Sequence, residues 1–236
     1  MRTLSLLSGG LDSCVALAAC KDDGDNPTLA LTVFYGQRHS REIDSARKIS
    51  EYYALEHVII DLGNSFPNAI KQATALINKE ENLPAERRMS EMTAKVPRTY
   101  VPARNTVLLS IALSVAEAYG LDQICCGVQA TDYASYPDTR RCYIEAFNHL
   151  ARFATKRGYE NNPILVKAPI VDMSKASVVN LGLRLKVPFE FTWTCYEGGE
   201  RPCGRCDSCI IRANAFWANG VDDPLMPYIV TPMESF

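Results

Sequence analysis

The chain has 236 residues, 47% hydrophobic and 22% charged, the proportions of an ordinary globular protein, which exclude disordered and collagen-like classes. At this length roughly 70–75% of the unfolded surface can be buried, enough for a core without staples in one large domain or a domain with a small appendage. The 25 basic and 27 acidic residues leave a net charge of −2. That argues against a broad electrostatic grip on nucleic acid and for a small anionic substrate in a local pocket.

In chain order, Thr3–Leu7 is a short apolar run that reads as a strand. Ser8-Gly9-Gly10 follows as a tight loop, then helix-forming residues over Ser13–Ala19. Leu29–Tyr35 predicts a second buried strand, Ser40–Ala54 a helix, and His57–Asp61 a third strand. Phe66–Asn78 reads as helix and Lys79–Lys95 as a charged, proline-interrupted loop. A long apolar helix spans Asn105–Tyr119, with Asn105 or Thr106 as its cap. Gln123–Gly127, Arg140–Lys156 and Ile164–Val166 read as strand, helix and strand. This alternation predicts an α/β fold with a doubly wound parallel five-stranded sheet. Ligands in such sheets bind at the carboxyl ends of the strands, which directs attention to the residues after Leu7, Phe34 and Gly127. The composition shifts to Cys, Gly, Pro and Arg near Trp193, dividing the chain into an α/β domain over 1–192 and a small segment over 193–236. The longest apolar stretch, Val107–Ala116, is too short to cross a bilayer. The N-terminal stretch lacks the apolar core and cleavage site of a signal peptide. No membrane association and a cytoplasmic location are expected.

Leu7-Ser8-Gly9-Gly10-Leu11-Asp12-Ser13 joins a strand to a helix. Its glycines let the backbone approach a phosphate, and the first amides of the helix present a positive dipole. Ser8 and Ser13 add hydroxyl donors. There is no Walker lysine, so this is not the ordinary P-loop. A glycine turn capped by Asp12 is the plain alternative. The motif resembles the SGGxDS loop of N-type ATP pyrophosphatases. The resemblance implies that the loop holds the leaving pyrophosphate of ATP while a substrate oxygen attacks the α-phosphate. It extends through Cys14, Val15, Ala16 and Leu17, the helical turn behind the phosphates.

Charge developing on the α-phosphate requires preorganised cations. Arg104, just before a helix, is one candidate. Lys175 is another, because a lysine in a first helical turn, here capped by Asp172 or Ser174, opposes the helix dipole. Either could instead be an ordinary surface charge. Mg²⁺ is expected with the triphosphate, and Asp12 is a candidate contact for it.

Five of the nine cysteines are scattered among apolar neighbours and read as core residues. Cys195, Cys203, Cys206 and Cys209 instead cluster as two overlapping C-x-x-C knuckles with one distant partner. Four thiolates match tetrahedral Zn²⁺ with no open position, so the metal should be structural. An iron–sulfur cluster is the alternative occupant.

Together, the loop, Phe34–His39, Tyr100–Thr106, Gly127–Arg140 and Thr194–Arg212 resemble the QueC family of 7-cyano-7-deazaguanine (preQ0) synthases nearly end to end. The resemblance implies an ATP-dependent ligase that takes 7-carboxy-7-deazaguanine and ammonia through an adenylated carboxylate, an amide and an adenylated amide to the nitrile. It also implies a homodimer. The chain departs from the family pattern at Ala134, Ser135 and Thr139. Under this reading Asp132 and Asp138 are candidates for the guanine-like edge, Tyr133 and Tyr136 for stacking, and Arg140, Arg38 and Gln37 for the remaining substrate contacts. His39 is a weaker candidate for proton transfer. The same adenylating chemistry on a tRNA base, a reaction stopping at the amide, and a nucleotide sensor without turnover are the rival readings.

Overall fold

The computed structural model describes residues 1–38, 40–63, 65, 67–78, 80–85, 96–129 and 136–227. Five strands, β1 (Arg2–Leu6), β2 (Asn26–Phe34), β3 (Glu56–Asp61), β4 (Gln123–Cys125) and β5 (Leu165–Lys167), form one sheet in the order β3-β2-β1-β4-β5. Every pairing is parallel, with Leu4 opposite Leu29 on one side and Ile124 on the other. The chain winds outward from β1 to β3, then returns to place β4 against the free edge of β1. The switch point lies between β1 and β4.

A parallel sheet must be covered on both faces, and two apolar clusters do this. On one face α1 (Leu11–Asp22) and α2 (Arg41–Tyr52) contribute Val15, Leu17, Ala46 and Ile49. They are joined by Val178 and Val179 of α7 (Lys175–Arg184) and Phe216 of α8 (Asp207–Trp217). On the other face, Leu109 and Leu113 of α4 (Arg104–Ala118) and Phe147 of α5 (Arg141–Ala154) pack over Leu4, Leu31 and Ile124. The residues after 193 build a small cluster of Trp193, Cys195, Cys206, Cys209 and Met226, while α8 also feeds the first large core.

Several boundaries differ from expectation. Among the described residues of the expected Phe66–Asn78 helix, only Asn68–Gln72 (α3) is helical. Beyond it the Ala75 amide donates to the Arg98 carbonyl at 2.8 Å and the Leu76 amide to Thr74 Oγ1 at 3.2 Å. The expected Arg140–Lys156 helix breaks at Thr155, whose extended backbone and hydroxyl cap a separate turn, α6 (Lys156–Tyr159). The long helix starts at Arg104, not at a capping Asn105 or Thr106. Its N-cap is Ala103 in left-handed conformation (φ 50°). Of the expected Lys79–Lys95 loop, only residues 80–85 are described; Ala85 bridges to Cys206. No helix among the described residues is long and apolar enough to cross a membrane.

Candidate active site

A cavity of about 250 Å³ opens at the carboxyl ends of β1, β2 and β4. The Ser8–Ser13 loop forms its floor. Gly9 takes φ +86°, and a Cβ there would lie 2.0 Å from the Glu42 carbonyl oxygen, so only glycine lets the loop pass under α2. Gly10 is the N-cap of α1 and offers no side chain to its first amides, and the first-turn residues Leu11, Asp12 and Ser13 line the cavity, a geometry suited to an anion. The Ser8 and Ser13 hydroxyls lie 3.1 Å apart. The Ser13 hydroxyl donates to the Gly10 carbonyl at 3.0 Å, and Ser8 Oγ accepts from the Gly10 amide at 3.2 Å. Gly127 at the end of β4 packs where a Cβ would meet the Ser13 backbone at 2.7 Å. Cys14, Val15, Ala16 and Leu17 stand behind the loop in the core, and burial pushes the Cys14 thiol up to about 12.

Gly9→Ala should therefore cost more stability than the roughly 1–2 kcal/mol of a left-handed alanine and eliminate nucleotide binding. Gly10→Ala, whose Cβ would meet only Ser8 Oγ at 3.2 Å and the Trp193 carbonyl oxygen at 3.7 Å, should keep affinity within about tenfold. Calorimetric titration of both variants checks the order; equal effects would contradict it.

Both proposed cations line the cavity. Lys175, in the first turn of a helix capped by Ser174 and not by Asp172, donates to both Asp12 oxygens at 2.8 and 2.6 Å. Asp12 thus has its charge matched by a lysine. Arg104 donates to the Tyr35 hydroxyl at 3.4 Å and lies 5.8 Å from that ring. Burial works against its charge, but the Tyr35 and Tyr136 hydroxyls outweigh it and hold its pKa above the ordinary arginine value.

Of the expected substrate residues, Gln37 lines the cavity and donates to Glu42 Oε2 at 3.2 Å. Arg38, Tyr136 and Arg140 each bond to other groups of the chain, and Tyr136 also lies close enough to Arg104 to support its charge. Arg38 donates to the carbonyls of Ala75 (2.8 Å), Asn78 (2.6 Å) and Glu81, fastening the turns after α3. Tyr136 shares a 2.8 Å hydroxyl contact with Thr99, and the exposed Arg140 donates to the Pro137 carbonyl at 3.1 Å. Asp132, Tyr133, Ala134, Ser135 and His39 lie outside the described residues.

Buried Asp138, expected to face a base, has one carboxylate oxygen engaged within the chain. Its Oδ2 accepts the Asn105 amide at 2.9 Å, and its own carbonyl accepts from Asn105 Nδ2 at 3.0 Å. It supplies from 33 residues away the cap that Ala103 cannot. Asp138→Ala should lower stability by about 1–3 kcal/mol through an unsatisfied helix start while kcat/KM falls less than about tenfold. Denaturant melts and kinetics on the same variant separate this from a binding role, which would reverse the two effects.

Residues that sequence reasoning missed also line the cavity: Tyr35, Glu42, Trp193, Thr194, Tyr196 and Ser208. Four come from the cysteine-rich segment, whose composition signals metal and gives no hint of a cavity wall. The Trp193 amide donates to the Gly9 carbonyl at 2.9 Å, and Arg41 sits 5.7 Å over its ring.

The sulfurs of Cys195, Cys203, Cys206 and Cys209 all lie within 4.8 Å of one another. Tetrahedral bonds of about 2.3 Å place sulfurs about 3.8 Å apart, so a small contraction closes the shell. Backbone amides of Cys203 and Cys206 donate to the Cys195 and Cys203 sulfurs at 3.3 and 3.4 Å, as suits thiolate ligands. The Cys206 and Cys209 thiols hold Cys195 well below the usual thiol range. Sharing that proton pushes Cys206 up to about 12 and Cys209 higher. The donor set fits a metal.

A doubly wound parallel sheet whose first strand opens into a lysine-free Ser-Gly-Gly loop, with Lys175 and Arg104 lining the same cavity, defines an α/β protein with its candidate site at the carboxyl end of the central strand. The chain belongs to the QueC family: the model described as "Queuosine biosynthesis protein QueC" matches residues 2–220. It is similar to the 7-cyano-7-deazaguanine synthase of Trichodesmium erythraeum, 44% identical over 96% of this chain and 100% of that protein. The synthase of Trichormus variabilis is 41% identical over 97% and 99%. Among solved structures, an NMN synthetase from Francisella tularensis superposes with a TM-score of 0.47 at 15% identity, covering 94% of this chain and 78% of that one.

Proposed function

We propose that this protein is an ATP-dependent ligase that converts 7-carboxy-7-deazaguanine and ammonia to 7-cyano-7-deazaguanine. The observation that carries the reading is the end-to-end similarity to synthases of that name, in a chain whose phosphate loop, Lys175 and Arg104 line one cavity. In the first round a carboxylate oxygen attacks the α-phosphate of ATP and pyrophosphate leaves. Ammonia then displaces AMP to give the amide. In the second round the amide oxygen attacks another α-phosphate, and loss of AMP with the nitrogen-bound protons leaves the nitrile. Both rounds need the same oxygen-on-phosphorus geometry, so one cradle serves both. The α1 amides and the Ser8 and Ser13 hydroxyls bind the pyrophosphate, while Lys175 and Arg104 balance the charge that develops during transfer.

Zinc is the occupant we assign to the four cysteines, where it supplies folding free energy and no chemistry. Magnesium accompanies the nucleotide as its counter-ion and is assigned no protein ligand. A homodimer, checked by light scattering, completes the reading. Mass spectrometry of products from ATP, ammonia and 7-carboxy-7-deazaguanine tests it. The nitrile, with AMP and pyrophosphate, is expected. Amide alone, or no AMP at all, would overturn it.

A further inference from the structure

Arg212 is 1% exposed, and burying a guanidinium this completely demands that every donor be matched. All five are. Nε and Nη2 donate to the two oxygens of buried Asp223 at 2.6 and 2.8 Å. Nη1 reaches the Thr192 hydroxyl at 2.7 Å and the Thr192 carbonyl at 3.4 Å, and Nη2 also reaches the Phe189 carbonyl at 3.1 Å. The Thr192 hydroxyl in turn donates to the Phe189 carbonyl at 2.7 Å.

A buried ion pair contributes little net stability over an apolar replacement, so stability alone is a weak account of it. Its location offers another. Arg212 lies three residues after Cys209 in α8, and Thr192 immediately precedes Trp193, whose amide holds the Gly9 carbonyl at 2.9 Å. On its other side Gly9 is wedged against the Glu42 backbone. The phosphate loop is therefore gripped between α2 and the 189–193 segment, and Arg212 fixes that segment.

We propose that Arg212 is a positioning residue for the phosphate loop, acting through Thr192 and Trp193 on Gly9 and so tying the cysteine-rich segment to nucleotide affinity. The proposal rests on the reading of the cavity as a nucleotide site. Small displacements of a preformed cradle are costly because its amides must meet the phosphate oxygens together.

The test is calorimetric titration of the whole protein with α,β-methylene ATP, which cannot be cleaved at the reacting bond, alongside melting temperature and metal content. Arg212→Lys keeps the charge but not the planar fork. Its nucleotide Kd should rise about tenfold with metal content unchanged. Thr192→Val removes one hydroxyl while leaving the Asp223 pair, and should weaken binding in the same direction; Thr192→Ser should restore it. If Arg212→Lys does not fold, the valine and serine variants carry the decision. A lowered melting temperature with nucleotide affinity equal to wild type would make Arg212 purely structural and overturn the proposal. A wild-type protein that binds no nucleotide would instead sink the functional reading and this proposal with it.

Discussion

Lys175→Ala should lower kcat by about 10²–10³-fold, the usual loss when one preorganised charge is removed from a transition state. The cation is placed by the backbone of α7 and held 2.6 Å from Asp12 Oδ2, with side chains only 17% and 26% exposed. Its removal also leaves the Asp12 carboxylate unbalanced beside incoming phosphates. Because the missing interaction strengthens as charge develops, kcat and kcat/KM should fall together. Asp12→Asn in the same background should recover part of the loss by deleting the unbalanced charge, which makes the double-mutant cycle informative. The alternative, an ion pair of purely structural value, is worth at most about 1 kcal/mol. It would leave turnover within a few-fold of wild type, and that result would remove Lys175 from the catalytic assignment.

Loss of the metal should have the largest effect on stability. Metal analysis is expected to give about one zinc per chain and no visible absorption; a brown protein with stoichiometric iron would contradict that. Structural zinc contributes an apparent ~10–16 kcal/mol in small zinc modules, as much as the whole stability of a typical domain, about 5–15 kcal/mol. Three of the four cysteines are fully buried. Cys206→Ser therefore leaves an incomplete shell in the small core of Trp193 and Met226. The damage does not stop there, since α8 begins one residue later and carries Phe216, 5.0 Å from Phe189, into the main core. Cys206→Ser should be insoluble or melt far below wild type, and a chelator should produce the same state. A serine variant with unchanged melting behaviour and metal content would show that the cluster is not a metal centre.

The parts of the site legible in the sequence are those whose chemistry is local. Ser8–Ser13 spells out a strand, a positive-φ turn and a helix start within six positions. The cysteine spacing similarly encloses its own donor set. Lys175 is legible because a cation in a first helical turn opposes the dipole, and Arg104 because a permanent charge stands just before a helix. What stayed hidden depends on distant partners. Asp138 reads as a pocket carboxylate, and its bond to the amide of Asn105, 33 positions away, has no signal in the sequence. Arg38 follows the second strand like a substrate ligand, yet three backbone carbonyls of the 75–81 segment accept from its Nε and Nη2. The helix expected over Phe66–Asn78 stops after Gln72, where the Ala75 amide bonds to the Arg98 carbonyl and the Ile77 and Asn78 amides turn back to Thr74. The wall supplied by Thr194, Tyr196 and Ser208 exists only after the C-terminal segment folds back over the sheet.

The central position of β1 sets a timetable for synthesis. Thr3 pairs with Gln123, and Gln123 Nε2 donates to the Thr3 hydroxyl across 120 positions. At ribosomal rates of roughly 5–20 residues per second, on the order of ten seconds separate the two strands. During that interval β1, β2 and β3 can assemble with α1 and α2, but the sheet carries an unpaired inner edge and an uncovered apolar face. Such surfaces recruit other chains. The nucleotide cradle comes later still, because Lys175 and Trp193 must leave the exit tunnel before Gly9 is gripped from both sides. A ligand held by these groups therefore cannot template the early stages of folding, and the exposed edge of the N-terminal half is covered only when β4 arrives.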